Sequence, residues 1–412
     1  MRALWLRLCI LSAVMLALGL AVTSQQAPPA KKVPIAALLA SWFPNSHPDV
    51  ILGRILKTYS LDGKGEPSQL QLVSVYLDRP QKNDITEKLA AEYNIKICNT
   101  MEEALTLGTG KLAVGGVVIC TEWADYPLSE LGQQMYPHRQ MFDEVVKVFK
   151  ASGKVAPVFV DKHLAYTWED SAHIFNTARD MKIPLMAGSS VPVSWRVPAI
   201  DVKRDAALKE IVGISYHTLD GYGFHGLEMI QTLAERRKGG ETGVKSVQCL
   251  VGQAVWDAAG KEYDPELLAD ALARHQPPKT LDEVKAAVKE PVLFLITYQD
   301  GLRASMFTLN YAVGHWAAAW RYPDGEKAST LFKLDESDTM MHFAGLMKGI
   351  EAMILTGKPS WPADRTLVTS GILDAALISR KEDGRVVETP EMGKISYTPA
   401  WEWKELPTPG NR

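Results

Sequence analysis

Cysteine is scarce in this chain, four among 412 residues, and the few present exclude a disulfide scaffold. Cys9 lies in the N-terminal apolar run, which leaves Cys98, Cys120 and Cys249, an odd number. None is spaced from a second cysteine as zinc ligands are. Cys98 and Cys120 sit in apolar runs and read as small hydrophobes. An excess of charge is missing as well: 45 Lys and Arg face 48 Asp and Glu, for a net charge of −3. That balance argues against nucleic acid as a partner. The one basic triplet, Arg236-Arg237-Lys238, is followed by Gly239-Gly240 and reads as a helix C-terminus, where cations complement the dipole. Beyond the first 22 residues no apolar run is long enough to span a bilayer. Internal repeats are absent, and so is low-complexity sequence outside residues 25–32.

The N-terminus has what the rest lacks. Arg2 and Arg7 give a positive start, Leu8 to Val22 is apolar apart from Ser12, and Val22-Thr23-Ser24 offers small residues for cleavage. This is the pattern of a secretory signal peptide over residues 1–24, with a tether over 25–32. No twin arginine is present, so the expectation is Sec-type export to the periplasm or beyond, with no membrane contact after cleavage.

Residues 33–188 alternate strand and helix patterns. Val33–Ala40, Leu70–Leu77, Ile95–Cys98, Gly116–Cys120, Val158–Val160 and Pro184–Gly188 read as buried strands. Between them, Asp84-x-x-Glu87 and Thr100-x-x-Glu103 are capping-box patterns, and Thr167-x-x-Asp170 caps another helix. Phe142, Val145, Val146 and Phe149 fall at helical spacing before Gly153. Strands separated by helices predict a Rossmann-like, doubly wound parallel sheet. Residues 189–361 differ. Ile211–Tyr216, Val244–Val255, Val292–Thr297, Met306–Val313 and His315–Trp320 read as strands, some joined by hairpin turns such as Gln299-Asp300-Gly301. They predict an α+β domain with a mostly antiparallel open sheet and helices on one face. Phe343–Thr356 and Leu367–Ser379 read as late helices, the second belonging to a tail over 362–412.

The segment that carries most chemistry runs from Val155 to Gly188. A short buried strand ends in Asp161-Lys162-His163, the place where α/β proteins put ligand chemistry. In order along the chain come a strand ending in Asp78-Arg79-Pro80, one ending in Thr121, the Asp161-Lys162 strand end, a Gly-rich turn with His225, and the Thr356-Gly-Lys-Pro359 to Ser379 tail. This series resembles the glucose–fructose oxidoreductase / inositol dehydrogenase (Gfo/Idh/MocA) family over residues 33–400. The Asp161-Lys162-His163 triplet stands where that family has Glu-Lys-Pro.

The resemblance implies an oxidoreductase-like protein that moves a hydride between NAD or NADP and a secondary alcohol or ketone of a sugar or cyclitol. It implies a homo-oligomer, and a C-terminal helix that packs back on the first domain. Lys162 and His225 are the catalytic candidates it implies, with Asp161 and Asp220 beside them. Ser41, His47, Asp78, Thr121 and Lys162 are the candidate cofactor-binding residues.

The pattern breaks in two places. The family's dinucleotide site begins with Gly-x-Gly-x-x-Gly, whose backbone amides approach the pyrophosphate at a helix start. Here the turn is Ala40-Ser41-Trp42-Phe43-Pro44-Asn45-Ser46-His47, without glycine. Trp42 and Phe43 would crowd a pyrophosphate, and Pro44 lacks an amide donor. In addition, Gly221 occupies the position of an aspartate four residues before the histidine that His225 matches. Gly221-Tyr222-Gly223-Phe224-His225-Gly226 reads as a βα turn that opens a helix at Leu227.

Other residues suit a sugar. Trp195 and Arg196 combine stacking with hydrogen bonding, and His217, Tyr222 and Glu122 are further substrate candidates. His217, Asp220, His225 and Glu228 form a dense polar cluster. His225 and Glu228 at i, i+3 suit a base oriented by a carboxylate or, as an alternative to no metal at all, a pair of metal ligands. Two other outcomes stay open: a non-redox lyase, hydrolase or epimerase on the same fold, and a non-catalytic sugar-binding protein.

Overall fold

The computed structural model describes residues 31–404 and Leu406. The expected signal peptide and the tether up to residue 30 lie outside the described residues, and residues from Val33 onward form one compact unit. The chain enters on β1 (Val33–Leu39), which is paired on both sides and has apolar side chains throughout, as befits a strand covered on both faces. After it come α1 (His47–Leu56), β2 (Leu70–Leu77), α2 (Thr86–Tyr93), β3 (Lys96–Cys98), α3 (Met101–Thr106), β4 (Gly116–Cys120), α4 (His138–Ser152), β5 (Val158–Asp161), α5 (Trp168–Asp180) and β6 (Leu185–Gly188). The strands form a six-stranded parallel sheet in the order β3-β2-β1-β4-β5-β6. The order reverses between β1 and β4, so a crevice opens beyond their carboxyl ends, where ligands bind in such sheets. α4 buries Met141, Phe142, Val145, Val146 and Phe149, and Gly153 at φ 64° ends it, as the spacing predicts.

The Asp84-x-x-Glu87 box does not form. α2 starts at Thr86 without a side-chain cap, because the Asp84 carboxylate is drawn to the turn after β1. Thr100 and Thr167 do cap their helices.

The second half adds β7 (Trp195–Val197), β8 (Glu210–Ser215), α6 (Gly221–Ala234), β9 (Val244–Val251), α7 (Gln253–Asp257), α8 (Pro265–Leu272), α9 (Leu281–Ala287), β10 (Val292–Tyr298), β11 (Arg303–Thr308), β12 (Trp316–Arg321), β13 (Lys327–Lys333), α10 (His342–Thr356), α11 (Asp364–Lys381) and β14 (Val387–Glu388). Its eight strands run β14-β9-β10-β11-β8-β12-β13-β7, antiparallel except for the β8–β11 pair. One face packs on α6 and α11 through Phe224, Leu227, Ile230, Val368 and Ile372.

Helices cover the other face too, against expectation. Leu267, Leu268, Leu272 and Val284 lie on Val212, Ile214, Phe307, Ala317 and Leu331. Gly252 at φ 64° stops β9 at Val251, earlier than the apolar run suggests. The Asp264-Pro265 start and the Thr280–Glu283 capping box are the signals for α8 and α9. α11 touches α5, α6 and β9 and so ties the two sheets together.

Candidate active site

The crevice beyond β1 and β4 has two ends of opposite character. At the first, the Ala40–Ser46 turn is closed by the chain's own carboxylates. Asp84 accepts from Trp42 N and Ser41 Oγ at 2.7 Å each, and from Thr86 N at 2.8 Å. Asp49 accepts from Trp42 Nε1 at 3.1 Å and Asn45 N at 2.9 Å. Ser46 caps α1 and accepts from Phe43 N and Asp49 N. Trp42 is wholly buried among Leu39, Ile51 and Val75. Amides that would face a pyrophosphate therefore already have partners, carboxylates for Trp42 and Asn45 and the Ser46 hydroxyl for Phe43, an indole fills the core beneath them, and Pro44 offers no donor. The residues present do not fit a dinucleotide held in this place.

The cofactor candidates agree. Ser41 is bound to Asp84, Thr121 Oγ1 lies 2.7 Å from His138 Nε2, and His47 Nδ1 lies 2.6 Å from Asp161 Oδ2. Asp78 is exposed and accepts from Tyr126 OH at 2.7 Å.

At the second end, the tips of β4 and β5 meet the start of α6. Lys162 Nζ donates to Glu122 Oε2 at 2.6 Å, and the two side chains are 2 % and 3 % exposed. The Lys162–His163 peptide is cis. His163 Nε2 lies 3.1 Å from Asp220 O, and Asp220 Oδ2 accepts from Gln134 N at 2.9 Å. Behind the lysine, Cys120 Sγ lies 3.5 Å from the Asp161 oxygen that binds His47.

His225 projects from the first turns of α6. Ser189 Oγ, at the end of β6, lies 2.5 Å from its Nδ1 and accepts from Val191 N. This fixes the ring and leaves Nε2 without a partner among the described residues. The His47 and His225 rings stand 6.5 Å apart. A side chain at Gly221 would place its Cβ 3.6 Å from Lys162 Nζ. Gly221 thus faces the ammonium group, and Glu122 supplies the carboxylate that position 221 does not.

The electrostatics separate these groups. Burial opposes the charge on Lys162, but Glu122, Asp161 and Asp220 outweigh it and hold the lysine protonated above its usual range. Burial raises Glu122, against the pull of Lys162, and its Oε1 is buried with no partner. Asp161 is also buried, yet His47 and Lys162 keep it ionised below the usual carboxylate range. Burial, with Lys162 and three histidines nearby, pushes His225 well below its ordinary value, so it is neutral. Neighbouring groups with pKa values driven apart mark acid–base sites.

The predicted catalytic set Asp161, Lys162, Asp220 and His225 is brought together here, with Glu122 and His163 added. Ser189 and Cys120 were not among the expected site residues; His138, in a loop after Thr121 read either as lining the cleft or as decorating an insertion, is buried against Thr121. The Ser189-Ser190 pair after a buried strand is the signal for the first.

Other expectations are corrected. α6 begins at Gly221, so the Gly221–Gly226 run is helical and not a turn. Gly226 lets the helix approach β11, since a Cβ there would lie 3.0 Å from Met306 Sδ. The alternative metal set does not converge. Glu228 is committed to Thr366, Thr369 and Ser189 N, from which it accepts, while His217 is exposed against Tyr222. Among the described residues no group of three or more His, Cys, Asp or Glu is placed to hold a metal. Trp195 and Arg196 turn to other partners. The indole donates to Leu406 O, and the buried guanidinium pairs with Asp201 between Phe332 and Trp403. Tyr222 remains at the cleft, stacked on Trp316 at 5.4 Å and 4.6 Å from His217.

No protein-family profile and no curated protein matches this sequence. Solved structures do resemble its fold. GenD2 from gentamicin A biosynthesis, in complex with NAD, is 13% identical over 88% of this chain and 98% of its own, with a TM-score of 0.57. The myo-inositol dehydrogenase of Lactobacillus casei, in complex with NAD(H) and myo-inositol, is 12% identical over 90% and 99%, with a TM-score of 0.55. A putative myo-inositol dehydrogenase from Sinorhizobium meliloti 1021 is 16% identical over 87% and 99%, with a TM-score of 0.53. The chain therefore has the two-sheet fold of these inositol dehydrogenases, as the sequence resemblance implies.

Proposed function

We propose that this chain is an enzyme that moves protons on a small polyhydroxylated molecule carrying a carbonyl, using a sugar-dehydrogenase fold without that fold's pyrophosphate cradle. The observation that carries the reading is the buried Lys162–Glu122 pair beside a neutral His225. Burying an ammonium and a carboxyl is costly, and the groups converge where Gly221 leaves room at Lys162 Nζ. The protonated Lys162 holds the carbonyl oxygen and stabilises negative charge that develops on it. His225 Nε2 takes the proton from the adjacent carbon. If the substrate turns over before His225 returns the proton, the opposite face receives it and an epimer results; loss of a hydroxyl or alkoxyl group from the next carbon, protonated by His225 as it leaves, gives an elimination product. The expected export supports this reading, because a chain secreted unfolded leaves the cytoplasmic nicotinamide pool behind.

The test is deuterium exchange in D2O, followed by proton NMR over a panel of ketoses and keto-glycosides. Exchange at the carbon next to the carbonyl, lost in Lys162→Met and His225→Ala, is the expected result. No exchange with any member of the panel sinks the reading.

A second reading rests on the NAD-bound neighbours: hydride transfer to or from NAD(P), with Lys162 and His225 handling the hydroxyl proton. Titration with NAD, NADH, NADP and NADPH, with fluorescence detection, separates the two readings. Saturable binding at one nucleotide per chain favours the redox reading; no binding favours the first.

A further inference from the structure

Three exposed aromatic side chains beside the catalytic cluster share one unusual backbone conformation. Trp123, His217 and Tyr311 have φ of 69°, 67° and 69°, in the left-handed region that costs a non-glycine residue free energy. Each follows a different strand: β4, β8 and β11. Trp123 is 47% exposed and Tyr311 81%. Neither helps fill the core, so folding does not explain their exposure.

Tyr222 links two of them, 6.3 Å from Trp123 and 4.6 Å from His217 between ring centroids. His217 and Tyr311 line one cavity of about 570 Å³, together with Asp220 of the cluster. A second cavity of about 530 Å³ adjoins it and shares Leu131, Glu290, Leu377 and Arg380. The two make a groove that leads outward from the cluster. Part of its polar lining is uncommitted. Arg380 and Glu290 make no side-chain hydrogen bond or ion pair with a described residue, and the buried Asn310 Oδ1 has no partner. Lys289 Nζ sits 5.6 Å from the Tyr311 ring centroid, a contact that orients the ring.

We propose that this groove is an oligosaccharide-binding site, with His217 and Tyr311 as stacking platforms for successive sugar rings and the exposed Trp123 beyond Tyr222 at its inner end, so that one end of the chain is delivered to Lys162. Aromatic faces beside free amide, carboxylate and guanidinium groups match the alternating apolar faces and hydroxyl edges of pyranose rings. The proposal deepens the proton-transfer reading and rests on it for the position of the reacting ring.

The test is an array of defined neutral and acidic glycans of one to six rings, probed with the described chain from Val33 onward. Retention on glycans of two or more rings, and not on the matching monosaccharides, is expected. Tyr311→Ala should lower that retention at least tenfold, and Tyr311→Phe should restore it. Both variants are checked for an unchanged thermal melt. Retention is read on the parent chain without turnover, so failure of the proton-transfer reading leaves the groove testable. No retention of any glycan by the parent chain overturns the proposal. So does equal retention by Tyr311→Ala and the parent.

Discussion

The turn after β1 and the cluster at the tips of β4 and β5 lie at the same edge of one parallel sheet, and both are rich in carboxylates. In the turn, every carboxylate is consumed locally. Asp84 and Asp49 between them accept from three backbone amides, a hydroxyl and an indole. In the cluster, Glu122 Oε1 and His163 Nδ1 are buried without partners, and charges face one another with little solvent. Polar groups that satisfy each other stabilise a fold, whereas buried groups left incomplete need another reason to be kept. The difference separates an end of the crevice whose polar groups are complete from one whose polar groups are not.

The largest effect should come from splitting the cluster's buried pair. Lys162→Met leaves Glu122 buried beside a methionine, and removing one partner of such a pair costs about 3–5 kcal/mol. Lys162→Met combined with Glu122→Gln should recover most of that loss in urea unfolding, yet remain inactive. If Lys162→Met is as stable as the parent, the cluster is no costlier than the turn and the contrast fails.

A smaller effect is set by pH. His138 is wholly buried against Thr121, and burial lowers it to about 4. Below pH 6.5 the unfolded chain takes up a proton that the folded chain refuses, until pH reaches about 4. Stability is therefore full above pH 6.5 and falls toward pH 4, by about 3 kcal/mol from this residue. His138→Gln should flatten the dependence of the denaturation midpoint on pH in that window. An unchanged slope would remove His138 from the account.

Asp84→Ala probes the turn itself. It strands two backbone amides and the Ser41 hydroxyl, at roughly 1–3 kcal/mol. Turnover in the deuterium-exchange assay should be unchanged at a temperature where the variant is folded. Lost turnover with intact stability would make the turn part of the site.

How much of this was legible beforehand differs between the same two regions. The parallel sheet followed from Val33–Ala40, Gly116–Cys120 and Val158–Val160, because strands buried on both faces are apolar without alternation. Lys162 and His225 followed from strand-end position and from resemblance. The missing glycines in the turn were legible, but what replaced them was not. Asp84 looked like a capping residue, since its spacing to Glu87 carries no sign that Trp42 N lies 2.7 Å away. The Lys162–Glu122 pair joins residues 40 apart in sequence, and the second sheet's covering helices hide behind a strand-like run ending at Val255. Contacts between distant segments leave no periodicity to read.

The smallest effect gives the sharpest control. Lys381 Nζ and Glu130 Oε2 are 2.6 Å apart, the same distance as Lys162 and Glu122. They sit on the outer groove at 51% and 86% side-chain exposure, against 2% and 3% for the buried pair. Solvent screens the exposed pair and hydrates each partner once the other is gone. Lys381→Ala should therefore change stability by less than about 1 kcal/mol, and less still in high salt. Two ion pairs of equal length would then differ several-fold in what their loss does. Burial, and not geometry, would be the cause. A loss on Lys381→Ala as large as that on Lys162→Met would mean that distance alone sets the energy, and the case for a ligand at the cluster would lose its physical basis.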